Sequence, residues 1–315
     1  MTGVGEFGIG RTVVDDPPFG DRMPDEQEFH DVRLGGPGGN DGPVRDHRTT
    51  DRGIVTTEIG PVDGGVLVMV HGSMDRQSTF GALARIRSTT HRVITYDRRG
   101  YARSRSLPGP YTVDAHLEDL AAVVNGRPAV VYGHSFGGAL ALAFAYRHPD
   151  LTLGVAVYES PMSWESFWSF PGGITAELGE SRSRPGSSPE DIAERFMVRM
   201  VGERRWLALP EATREQRRAE GHTLVGDIGD LMRGRPYELG GIACPVVSAV
   251  GAGSQERFQR SATIIAESCV DARLVSVDGW HHNAHVAHPE QFDHCVVESL
   301  VRRVTEGKWP ELPAT

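Results

Sequence analysis

The chain is poor in cysteine. The three it has, Cys244, Cys269 and Cys295, are an odd number without C-x-x-C spacing, so neither a disulfide framework nor a zinc knuckle is indicated, and they read as small buried apolar residues. No apolar run approaches the roughly 18 residues that span a bilayer. The N-terminus lacks the basic-then-apolar pattern of a secretory signal. These absences predict a cytoplasmic protein without a membrane partner. There is also no dense Lys/Arg stripe, and the formal net charge of −9 argues against nucleic acid as a partner. What remains is ordinary globular composition, 39% hydrophobic and 24% charged over 315 residues. That is enough for one large domain, or one domain with an insertion.

One stretch organises the rest. Gly133-His134-Ser135-Phe136-Gly137-Gly138 follows the apolar run Ala129-Val130-Val131-Tyr132 and precedes the helix-favouring stretch Ala139 to Tyr146. A strand that must reverse sharply into a helix holds the central residue of G-x-S-x-G in a strained conformation with its side chain exposed. Glycines flank it because a Cβ would clash there. Ser135 is left at the apex.

Residues 1–50 hold 10 Gly and 5 Pro among many Asp and Arg, a composition that buries too little to offset its ordering entropy, so a disordered extension is predicted. Strands are predicted at Ile54–Ile59 and Val66–Val70. The second is apolar on both alternations, as a strand buried on both faces reads. Further strands are predicted at Arg92–Tyr96, Ala129–Tyr132, Leu153–Tyr158, Pro245–Val250 and Ala272–Val277. Helices are predicted from Val113 to Val124, after the serine turn, and from Pro289 to Val304. Strands alternating with helices imply an α/β fold, a mostly parallel twisted sheet with helices on both faces. Between 160 and 241 the rhythm turns helical, with Ser188 as N-cap, Pro189 at the first helical position, and Ile192, Phe196 and Met200 on one face. This reads as an inserted lid between core segments 51–159 and 242–305, with a tail from 306 to 315. Trp164, Phe167, Trp168, Phe170 and Trp206 either line an apolar pocket or form the lid's own core.

These pieces resemble the α/β-hydrolase superfamily over roughly residues 51–305. The resemblance rests on His71-Gly72 after a strand, Asp97-Arg98-Arg99-Gly100 followed by Ser104 after the next, the Gly133–Gly137 elbow, and a histidine ahead of His288-Pro289-Glu290. It implies the α/β-hydrolase fold and a Ser-acid-His triad with Ser135 as nucleophile, because a serine hydroxyl needs a base within reach and a carboxylate to orient that base. His281, His282, His285, His288 and His294 are nearby candidates for the base. The family's spacing, about seven residues before the proline, selects His282. His134, inside the elbow, occupies a variable position and points away from that role.

The acid departs from the commonest pattern. Three residues after Gly251 stands Ser254, which cannot serve as the carboxylate. In some relatives, certain haloalkane dehalogenases and lactonases among them, the acid follows the strand after the nucleophile, which here is Glu159. Glu256 is the alternative. By family position the oxyanion hole is formed by the backbone N–H groups of Phe136 and Ser73, each such donor being worth ~100-fold or more in rate. The Asp97–Ser104 loop reads as a structural brace.

A metal hydrolase using His282, His285 and His288 is a weak rival, because those positions drift around a helix without a carboxylate at a familiar spacing. Neither metal nor cofactor is expected. A serine nucleophile disfavours the dehalogenase and epoxide-hydrolase branches. Attack on a carbonyl remains: carboxylester or lactone hydrolysis first, then carbon–carbon hydrolysis or cofactor-free perhydrolysis, with a non-catalytic ligand-binding member as the outside alternative. The expected partner is a small, moderately apolar molecule. Nothing in the residues sets the oligomeric state.

Overall fold

A strand that is apolar at every position must be covered on both faces, and the chain places such strands in the middle of one eight-stranded sheet. The computed structural model describes residues 46–169, Thr175 and 188–311. The strands are β1 (Asp46–Thr49), β2 (Val55–Ile59), β3 (Gly65–Val70), β4 (His91–Tyr96), β5 (Ala129–His134), β6 (Thr152–Tyr158), β7 (Val246–Gly251) and β8 (Ala272–Val277). Their order is β1-β2-β4-β3-β5-β6-β7-β8. β1 and β2 are antiparallel additions at one edge, and every other pairing is parallel. The predicted mostly parallel sheet is therefore present.

Alternate residues of the central strands feed two cores. Val66, Val68 and Val70 of β3 with Ala129 and Val131 of β5 face one side. Leu67, Met69, Val130 and Tyr132 face the other. The first side is covered by α2 (Val113–Val124) and α3 (Phe136–Arg147), the second by α1 (Gly81–Arg87) and the C-terminal helices. α2 runs where predicted: the Thr112 hydroxyl accepts from Ala115 N–H at 3.2 Å, and Asn125 ends the helix in a left-handed conformation.

The helical insertion carries α4 (Pro189–Val201), α5 (Glu203–Ala208), α6 (Glu211–Ala219) and α7 (Gly221–Leu231). Ser188 and Asp191 form a reciprocal capping box at the start of α4, with Pro189 at the first helical position. After β7 comes α8 (Glu256–Ser268). After β8 come α9 (Ala284–Ala287), α10 (Pro289–Phe292) and α11 (Glu298–Glu306), the last two joined by a π-turn over Asp293–Val297. Phe292, Val296, Val297 and Leu300 are all fully buried, as the predicted helix requires. Among the described residues no helix is long and apolar enough to cross a membrane.

One expectation needs revision. A strand stands ahead of Ile54: Asp46-His47-Arg48-Thr49 has no apolar residue to signal it, yet it pairs along β2 as a polar, charged edge. The remainder of the proposed extension, positions 1–45, lies outside the described residues, as do Phe170 and positions 312–315. Of the lid aromatics left open between pocket and core, Trp206 and Trp168 are core. Trp206 is buried with Met74, Tyr101 and Ile192, and Trp168 packs with Met162 and Phe258.

The strand-to-helix turn requires its glycines by close approach. A Cβ on Gly133 would lie 2.3 Å from the Gly137 carbonyl oxygen, and one on Gly137 would lie 2.1 Å from that of Val70. Gly137→Ala is therefore expected to lower stability in urea unfolding by about 3 kcal/mol or more. Gly253→Ala, where nothing lies within 4 Å of the added Cβ, is expected to leave the midpoint unchanged.

Candidate active site

Sheet register brings two distant residues to one rim. His134 pairs with Tyr158 at the ends of β5 and β6, so the next residue of each, Ser135 and Glu159, emerges side by side at the C-terminal edge, where open parallel sheets hold their ligands. Both break from the strand with positive φ, 52° at Ser135 and 49° at Glu159, a conformation that costs non-glycine residues about 1–3 kcal/mol and clusters at functional sites.

Glu159 is 1% exposed and its carboxylate has three donors. His282 Nδ1–H donates to Oε2 at 2.6 Å. Gly251 N–H donates to Oε1 at 3.3 Å, and the Ser254 hydroxyl donates to the same oxygen. Burial opposes ionisation, but these hydrogen bonds outweigh it and hold the carboxyl below the usual range. Burial pushes the His282 imidazole below its ordinary value, while the bond it donates to Glu159 pulls it back.

Ser254, standing where the commonest acid would be, thus donates to the Glu159 carboxylate instead of carrying one. Its hydroxyl next to a buried carboxylate was the available signal, and only the fold makes it legible. Glu256 is exposed in the first turn of α8 and makes none of these bonds. The other histidines separate clearly. His281 offers its carbonyl to Tyr158 OH at 2.7 Å, His288 and His294 are exposed, and His285 is buried, its ring held neutral by desolvation.

Ser135 and His282 line one cavity of about 50 Å³ together with Gly72, Ser73, Met74, Asp75, His134 and Asn283. Phe196, Met197, Met200 and Val201 of α4 line its other wall. Gly72 lies hard against the serine, since a Cβ there would be 3.0 Å from Ser135 Cβ. Phe136 opens α3, so its N–H has no carbonyl one turn earlier to bond. His134 does not point clear of the site: its Nε2–H donates to the His282 carbonyl at 2.8 Å. Phe258 of α8, which carried no sequence signal, packs its ring 5.1 Å from that of His282.

The chain matches the alpha/beta hydrolase family over residues 67–293. It belongs to that family. The hydrolase YraK of Bacillus subtilis is 34% identical over 93 residues, which are 28% of this chain and 34% of that protein, so the chain spans only about a third of this relative. The pimeloyl-acyl-carrier-protein methyl ester esterase of Chromobacterium violaceum is 27% identical over 243 residues, 75% of this chain and 94% of the esterase. Among solved structures, a thermophilic esterase from Thermogutta terrifontis superimposes with a TM-score of 0.60 at 24% identity, covering 83% of this chain and 99% of that one. This last likeness speaks to the fold alone.

In this α/β-hydrolase the Asp97–Ser104 loop is the brace it was predicted to be. Asp97 accepts from Gln77 N–H and from Gln77 Nε2, both at 2.9 Å. Arg98, fully buried, donates to the carbonyls of His71 at 3.0 Å and Gly72 at 3.1 Å, and to Asp227 of α7 at 2.9 Å. His116 Nε2 lies 2.7 Å from the other Asp227 oxygen. One guanidinium therefore holds the backbone just before Ser73 and ties it to the helical insertion. Asp227→Ala leaves that cation buried without its carboxylate and is expected to cost about 3–5 kcal/mol in urea unfolding.

Proposed function

We propose that the protein is a serine hydrolase that cleaves carboxylic esters or lactones through an acyl-enzyme. Ser135 attacks the carbonyl, neutral His282 takes the hydroxyl proton at Nε2 and returns it to the leaving alkoxide, and Glu159 orients the imidazole and stabilises the imidazolium. The backbone N–H groups of Ser73 and Phe136 receive the negative charge that develops on the carbonyl oxygen, Phe136 N–H with help from the positive end of α3. Water then repeats the sequence on the acyl-enzyme.

The observation that carries this reading is the 2.6 Å bond from His282 to a buried, ionised Glu159 beside the elbow serine. The family and the Chromobacterium methyl ester esterase support carbonyl chemistry. The Phe196, Met197, Met200 and Val201 wall favours a moderately apolar substrate, with the helical insertion acting as a lid. The reaction calls on no group beyond the chain's own residues.

Ser135→Ala and His282→Ala are each expected to lower kcat for a p-nitrophenyl acylate by about 10⁴-fold or more. Glu159→Gln should approach that loss, whereas Glu256→Gln should match wild type. The reverse pattern would transfer the acid role to Glu256. The base works only when neutral and its pKa lies below the ordinary 6.5. As pH falls, kcat/KM should therefore hold until below 6.5 and then decline with the protonation of His282. A midpoint above 6.5 would contradict this assignment.

A further inference from the structure

Two side chains in the wall of the same cavity, Asp75 and His134, meet a third behind it, His285, and the hydrolytic reading gives none of them a chemical step. His285 is 1% exposed, and neither of its ring nitrogens has a hydrogen-bond partner. Its nearest ring is that of His134, at a centroid distance of 4.4 Å, and Phe80, Phe292 and Tyr132 pack around it at 5.4, 5.9 and 6.3 Å. His134 is 3% exposed. Because its Nε2–H donates to the His282 carbonyl, its Nδ1 carries a lone pair, and that atom too has no hydrogen-bond partner. The third member is Asp75, whose Oδ2 lies 3.8 Å from His134 Nδ1. One donor atom from each of Asp75, His134 and His285 falls within 4.8 Å of the others. Buried polar atoms are rarely left bare, since each costs about 1–3 kcal/mol.

We propose that Asp75, His134 and His285 bind a single divalent transition-metal ion, zinc in the first instance, at a site distinct from Ser135, His282 and Glu159. Two imidazoles and one carboxylate are a zinc donor set that leaves a fourth position open, whereas magnesium and calcium take oxygen ligands. Bonds of about 2.0–2.1 Å at the tetrahedral angle put donors about 3.3 Å apart, so the ion would draw this set inward by about an ångström. Asp75 is the ligand with room to move: its side chain is 16% exposed and it lies in the loop after β3. The bond from His134 Nε2–H to a backbone carbonyl is the outer contact that fixes the tautomer and orientation of a metal-bound imidazole. Asp75 and His134 both face the cavity that Ser135 lines. The open position would face the substrate space, and the ion would brace the His282 backbone through His134.

No short spacing announces this site, since its ligands come from the loop after β3, the end of β5 and α9. Of the three histidines weighed as a metal set from sequence, only His285 takes part. His282 is held by Glu159, and His288 is exposed.

Cobalt(II) titrated into chelator-treated, full-length protein tests the proposal by visible absorbance. One equivalent is expected to give a saturating four-coordinate spectrum that zinc abolishes, and zinc should raise the thermal midpoint. Asp75→Asn and His285→Gln should each weaken cobalt binding about 100-fold or more, and His288→Ala should leave it unchanged. Circular dichroism checks that each variant is folded. Should His285→Gln not fold, the wild-type titration and Asp75→Asn still decide. Absence of a saturable spectrum in wild type, or a spectrum that survives Asp75→Asn, overturns the site. Absorbance is read without turnover, so this result is independent of the hydrolytic reading.

Discussion

A carboxylate with almost no exposure to water is unstable unless its charge is met, and the arrangement at the sheet edge follows from meeting the charge of Glu159. His282 supplies a donor from the segment after β8, Ser254 and Gly251 supply donors from the end of β7, and Glu159 accepts them from the end of β6. Three segments far apart in sequence are thereby tied at one point. In this water-poor setting each bond is stronger than it would be on the surface, and losing one partner would leave a buried charge exposed to its full desolvation cost. The imidazole is fixed from behind by the same bond, with Phe258 against its face and its carbonyl held by His134.

A second buried charge does a different task. Arg98 gathers the carbonyls of His71 and Gly72 and the carboxylate of Asp227, so the loop beside Ser135 and the helical insertion share one anchor. The insertion packs around Trp206 together with Met74 and Tyr101 and presents α4 to the cavity. Trp206 serves packing, while Phe196, Met197 and Met200 line the cavity.

How much of this was legible in sequence depends on distance along the chain. β3 and β5 announce themselves because burial on both faces forces apolar residues at successive positions, and α4 does because Ser188 and Pro189 cap it locally. Glu159 could be reached because one helix and one strand separate it from Ser135, which the parallel register turns into adjacency. β1 was invisible: an edge strand needs no apolar face. Glu256 drew attention as a carboxylate near the vacant position, but an acid in the first turn of α8 is where the helix dipole favours it. The partnership of Ser254 with Glu159, of Asp227 with Arg98, and the meeting of Asp75, His134 and His285 rest on contacts between remote segments. No local periodicity encodes them.

The central claim is that Ser135 is chemically activated by a base that Glu159 holds in place. Labelling by a fluorophosphonate, mapped by mass spectrometry of the digested protein, tests it most directly. The account predicts stoichiometric modification confined to Ser135, slowed by orders of magnitude in Glu159→Gln. An unmodified Ser135 in folded wild-type protein, or equal labelling of the two proteins, would contradict it.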